Sequence, residues 1–166
     1  MTPGQVWGAD PGELAARMPC DSVISSPSLI CDRAVSIAAP PAVVFAWLCQ
    51  LRASPYSYDL LDNLGRRSPR ERDPELTNLA VGQRFMGAFD LVDCTPGEHI
   101  TLGTSHVAVT YAVRAHADAG SRLHARVLFR GPRIITVPLA FGDFIMMRKQ
   151  LLTLKELAER EARAAA

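Results

Sequence analysis

The stretch from Asp143 to Glu161 constrains the fold most strongly. Phe144, Met147, Leu151, Leu154 and Ala158 recur at steps of three and four residues, which puts them on one stripe of a helix, while Arg148, Lys149, Lys155, Glu156 and Glu159 lie mostly off it. A lone helix would leave that stripe in water. The residues before it read largely as strands, so the stripe is expected to be buried against the concave face of an antiparallel sheet, an α+β architecture with room for an internal cavity.

The strands carry the matching pattern. Val35 and Ile37 fall on one face of a strand over Cys31 to Ala38, which Pro40 and Pro41 end by starting a helix over Pro41 to Leu51. Trp47 lies in that mostly buried helix. A second short helix is expected over Pro55 to Leu64, closed by Gly65. Arg66 to Asn78, polar and broken by Pro69 and Pro74, reads as a surface loop. Further strands then follow, five or six in all with the first. Phe85, Phe89 and Leu91 share a face, Thr95 to Glu98 has proline and glycine where a type II turn wants them, and Val107, Val109, Tyr111 and Val113 alternate with His106, Thr110 and Arg114. In the next strand Leu123, Val127 and Phe129 face one way and Arg122, His124, Arg126 and Arg130 the other. The apolar run Ile134 to Leu139 is a candidate for one more strand. Residues 1–30, with Pro3, Pro11, Pro19 and Pro27, permit only short helical pieces and read as an N-terminal extension on a main domain of residues 31–166; Trp7 either anchors it or belongs to a frayed tail.

Composition removes several classes of function. Lys and Arg number 18 against 17 Asp and Glu, so no global field is available to hold a nucleic-acid backbone. The first ten residues lack the basic and apolar regions of a leader, and no run approaches the roughly 20 apolar residues that span a bilayer, so the expectation is a cytoplasmic protein with no stable membrane insertion. Cys20, Cys31, Cys49 and Cys94 form no CxxC pair or zinc spacing and are expected as reduced thiols, a Cys20 to Cys31 disulfide being the oxidised alternative. The histidine and cysteine spacing fits no ligand pattern and no nucleotide loop or nucleophile elbow occurs, so no metal and no cofactor is expected. Oligomeric state has no signature in the chain.

The segments RAVSIAAPPAVVF at 33–45, PYSYDLLDNLG at 55–65, VGQRF at 81–85 and the helix from Asp143 to Arg160 resemble the helix-grip superfamily that includes START lipid-transfer domains, pollen-allergen-like proteins and bacterial polyketide cyclase/dehydrase proteins, and are similar to actinobacterial SRPBCC members. The resemblance implies a curved antiparallel sheet wrapped around a long C-terminal helix, with two short helices after the first strand. It also implies functions ranging from ligand carriage to cyclisation.

Candidate site residues follow from strand parity and from one polar cluster. Phe85, Phe89, Val109, Tyr111, Val127 and Phe129 would face Phe144, Met147 and Leu151 across the interior, with Trp47, Tyr56 and Tyr58 near the mouth, forming the wall of a small hydrophobic ligand's site or filling the space as core. Tyr58, Asp59 and Asp62, at helical spacing, could orient a polar group or move a proton, as a cyclase or dehydratase would require; the same residues also serve as helix-end electrostatics. The four histidines are expected on the outer sheet face as surface residues. The arginines at 66, 67, 70 and 72 read as a solvated loop, or as a contact for an anionic ligand, a membrane surface or another protein. The C-terminal helix offers no acid or base on its apolar stripe, leaving anchoring groups to Tyr111 and the segment from Tyr56 to Asp62.

Overall fold

A computed structural model describes residues 4–58, 67–117 and 119–165. Its elements are β1 (Val6–Trp7), α1 (Pro11–Ala15), α2 (Cys20–Val23), β2 (Leu29–Ile37), α3 (Pro41–Cys49), β3 (Arg84–Phe85), β4 (Phe89–Thr95), β5 (His99–Gly103), β6 (Val107–His116), β7 (Gly120–Phe129) and α4 (Arg133–Ala164), with 3-10 turns at Gln50–Arg52 and Pro74–Thr77. The strands form one open seven-stranded sheet in the order β1-β2-β7-β6-β5-β4-β3. All neighbours are antiparallel except β1, which runs parallel to β2. This is the α+β arrangement of a sheet with a long C-terminal helix, compatible with a helix-grip fold.

Parity places the core as the alternation requires. Ile100, Leu102, Val109, Tyr111, Leu123 and Val127 point inward, where Val44, Trp47 and Leu48 of α3 and Leu151, Leu154 and Leu157 of α4 meet them. The turn at Thr95 to Glu98 closes with the Glu98 N–H on the Thr95 carbonyl at 3.0 Å, and Gly97 takes φ +82°, the value that the third position of a type II turn demands. A register shift between Leu91 and Asp93 changes the parity of β4, which brings Cys94 opposite inward-facing Ile100.

Three sequence expectations change. Ile134 to Leu139 is the opening of α4 and not a strand, so the helix is 32 residues long, with Pro138 inside it. A short apolar run has no periodicity that separates strand from helix, and Pro138, which lacks the N–H for the Ile134 carbonyl, costs the helix one bond without ending it. The seventh strand comes from the N-terminal extension, where Trp7 pairs with Arg33. Of the expected second helix only its opening residues are described; Pro55 to Tyr58 are not helical, and residues 59–66, including Asp59 and Asp62, lie outside the described residues.

Part of the outer sheet face is covered by the N-terminal extension. Met18, Cys20 and Ile24 of the extension pack on Ala108 and Leu128 there. His124 is buried, with a ring nitrogen 2.8 Å from Asp32 Oδ1, and Arg126 donates to that same oxygen at 2.8 Å and to the carbonyls of Glu13, Leu14 and Ala16. The expectation of surface histidines therefore fails at His124, because α1 and α2 cover it; His106 and His116 are exposed. The four cysteines are free thiols, and Cys20 and Cys31 belong to the packing on opposite faces of the sheet, which rules out the disulfide.

Glu13 links the extension to the sheet. Asp10 and Glu13 form a capping box, and Arg122 donates to both Glu13 carboxylate oxygens at 2.7 and 2.8 Å. The hydrogen bond from Arg122, opposed by burial and aided by the Asp10 N–H, holds the Glu13 carboxyl at about 2 against an ordinary 4.5. With the folded value depressed, the unfolded chain takes up the proton first, so the stabilisation is present above pH 4.5 and is lost as pH falls toward 2. Wild type is expected to lose on the order of 2–3 kcal/mol more than Glu13→Gln across that window, read from urea midpoints. Parallel acid limbs for the two proteins would show that the pair contributes nothing.

Candidate functional site

Between the first half of α4 and the inner ends of β6 and β7 lies a cavity of about 440 Å³. That volume is within the range of small-molecule sites. Val107, Val109, Val127 and Phe129 form its sheet wall, Met86 and Phe89 its far side, and Pro138, Leu139, Gly142, Met146 and Met147 its helical wall. The strands position these residues by alternation, since Val109 and Val127 are directly opposed in register and face the same way.

Polar groups enter at two places. Tyr111 donates its hydroxyl hydrogen to Gln150 Oε1 at 2.6 Å, and Gln150 Nε2 donates to the Pro55 carbonyl at 2.7 Å and approaches Met86 Sδ at 3.3 Å. Burial pushes the Tyr111 phenol above its ordinary range, so it stays neutral and serves as a hydrogen-bonding group. The second place is Asp143, whose Oδ2 lies 2.9 Å from the guanidinium of Arg33. Arg33 is fully buried because odd-numbered residues of β2 face inward, and its length carries the charged end to α4, where the Ala140 carbonyl at 3.4 Å and the Phe144 ring at 5.9 Å receive it. Burial pushes the Asp143 carboxyl up and Arg33 pulls it down. The resulting surface is an apolar chamber with acceptor oxygens at Tyr111 and Asp143, and with both Gln150 amide hydrogens directed at protein atoms.

Of the residues predicted from sequence, Phe89, Val109, Tyr111, Val127, Phe129 and Met147 line the chamber. Phe85 and Leu151 are packed wholly into the core. Trp47 is also core, its indole N–H donating to Glu161 Oε2 at 2.9 Å and its ring meeting Tyr56 edge-on at 6.1 Å. Tyr56 and Ser57 border a separate recess of about 220 Å³ with Ser68, Lys149 and Thr153. Tyr58 is exposed. Phe144 faces Arg33 and the N-terminal segment, where a side chain at Gly4 would meet its ring at 3.1 Å. Its place on the stripe is real, but the stripe is wider than the cavity, and the N-terminal segment at Gly4 covers its edge. Arg72 does not form a free basic surface, since it donates to Glu161 at 2.8 Å.

The expectation that α4 brings no acid to the chamber is overturned by Asp143, and Gln150 was likewise missed. Both were visible as spacing: Asp143, Met147, Gln150 and Leu154 recur at steps of four, three and four, a stripe one residue away from that through Phe144 and Leu151. Arg33 shares parity with Val35 and Ile37, which already placed it on the inner face.

Among the described residues no cluster of three or more His, Cys, Asp or Glu side chains could hold a metal ion. No helix among them is long and apolar enough to cross a membrane. No protein-family model matches the chain, and no curated protein matches it. Solved structures do share its fold. A protein from Nitrosospira multiformis superposes with a TM-score of 0.55 at 13% identity, covering 81% of this chain and 99% of its own. Protein MLL2253 from Mesorhizobium loti does so at 0.52 and 17% identity, covering 79% and 97%. The KanY protein gives 0.52 at 14% identity, covering 77% and 95%. At these identities the likeness extends to the fold alone.

Proposed function

We propose that this chain is an SRPBCC/START-like helix-grip protein that binds or carries a small hydrophobic or amphipathic molecule between the sheet and α4, without converting it. The observation that supports this reading is the chamber of about 440 Å³, walled by valine, phenylalanine and methionine and carrying the Tyr111 and Asp143 oxygens. Small-molecule sites combine apolar walls with a few polar groups in this way. The acceptor oxygens favour a ligand whose polar end is a hydroxyl or an amine. The unpaired thiols fit a reducing, cytoplasmic compartment.

A cyclase or dehydratase acting through Tyr58, Asp59 and Asp62 is less well supported. Tyr58 is exposed, the two aspartates lie outside the described residues, and the carboxylate that does line the chamber, Asp143, is engaged by Arg33. Native mass spectrometry of the purified chain, followed by displacement of a solvatochromic dye by long-chain alcohols and amines, tests the binding reading. Retained ligand, or displacement at micromolar concentration or below, is expected, equivalent to about 8 kcal/mol or more of binding free energy. No retained mass together with no dye binding would refute it.

A further inference from the structure

The first half of α4 is apolar on both of its faces. Thr136, Ala140 and Met147 turn inward, whereas Ile134, Ile135, Leu139, Phe141 and Ile145 are exposed, Ile134 to 84%. A helix on the surface of a protein in water ordinarily presents charged residues outward, and a monomer rarely leaves so many large apolar side chains together in solvent. The charges that border this face have one sign. From Arg130 to Lys155 the only acid is Asp143, turned onto Arg33, while Arg130, Arg133, Arg148 and Lys149 are all exposed. Leu139, Gly142 and Met146 belong to the helix surface and also to the cavity wall, so apolar surface continues from the outside of the helix into the chamber.

We propose that α4 from Arg133 to Lys149 docks on an anionic lipid bilayer, with its outward apolar face at the boundary of headgroups and acyl chains and its basic residues against lipid phosphates. An apolar helical face flanked by Lys and Arg is the composition that lies in such an interface. A second copy of the chain is the weaker occupant, because a two-fold interface through this face would bring the basic residues of both copies together. Docking places the helical wall of the cavity against the bilayer, so that ligand passes between lipid and chamber without crossing water; this last step rests on the binding reading above, and the docking itself does not.

Co-sedimentation of the full chain with vesicles tests the proposal, using phosphatidylcholine alone or with about a third replaced by phosphatidylglycerol, a composition that supplies the negative surface potential. Binding to the anionic vesicles is expected to be about tenfold stronger and to weaken with added salt. The variant I134S/F141S is expected to lose about tenfold on anionic vesicles, and R148E/K149E to lose the preference for them, both with unchanged circular dichroism. Equal or absent binding to the two vesicle types overturns the proposal, as does a dimer in sedimentation velocity that I134S/F141S dissociates. Dye displacement in lipid-free solution separates the two readings: vesicle binding lost with dye binding intact defeats docking alone, and dye binding absent with vesicle binding intact supports docking while defeating the cavity reading.

Discussion

Replacing Arg33 by methionine is expected to remove about 3–5 kcal/mol of stability at neutral pH, as breaking one side of a buried ion pair does. Methionine keeps most of the volume, so the loss reports charge rather than a void. Arg33 is fully buried and Asp143 Oδ2 is buried beside it, so the variant leaves a carboxylate in an apolar wall without its cation. Burial already pushes that carboxyl up, and removing Arg33 removes the opposing pull. A folded value above the unfolded one means that the folded state holds the proton longer, so the penalty is small at acid pH and grows as pH rises through the raised value. The double variant R33M/D143L is expected to recover most of the loss, because two apolar groups need no partners. Urea unfolding at pH 4 and pH 7 would show both effects as shifts in midpoint at constant slope. A loss under about 1 kcal/mol for Arg33→Met, the range of exposed pairs, would contradict a buried pair.

The second large effect concerns the chamber. Val109 and Val127 are opposed across β6 and β7 and both face the cavity, so V109F/V127F projects two rings into it. Dye affinity is expected to fall by more than about tenfold, roughly 1.4 kcal/mol or more, with stability nearly unchanged because the rings enter existing space. In a packed interior the same pair would cost about 1–3 kcal/mol of strain and leave dye binding untouched. The two outcomes are opposite in both readouts, which makes this pair more informative than substitutions at Phe85 or Leu151, where the side chains are core and any loss of binding would follow from loss of packing.

Much of the candidate site was legible because strand parity is local. Val109, Tyr111, Val127 and Phe129 lie on one face in any sheet that keeps their alternation, and Met147 lies on the inner side of any helix that keeps its period. The polar parts were less legible. Asp143 and Gln150 sit on a stripe adjacent to the hydrophobic one, and Tyr111, Gln150 and the Pro55 carbonyl come together only when β6, α4 and the segment after α3 are brought to one place. Phe144 shows the converse: its position in the helical period is right, yet Gly4 of the N-terminal segment lies against its ring and the Arg33 guanidinium faces it.

By itself the sequence determined the phase of the strands, the existence of the C-terminal helix and the apolar character of the surface between them, because each depends on backbone periods that neighbouring residues share. Only the tertiary structure decided that Ile134 to Leu139 joins that helix, that the N-terminal extension buries His124, and that Arg33 reaches Asp143. These depend on which distant surfaces remain to be covered once the sheet has formed. A short apolar run takes the backbone that buries it best, and a buried charge is held where a partner from elsewhere in the chain meets it.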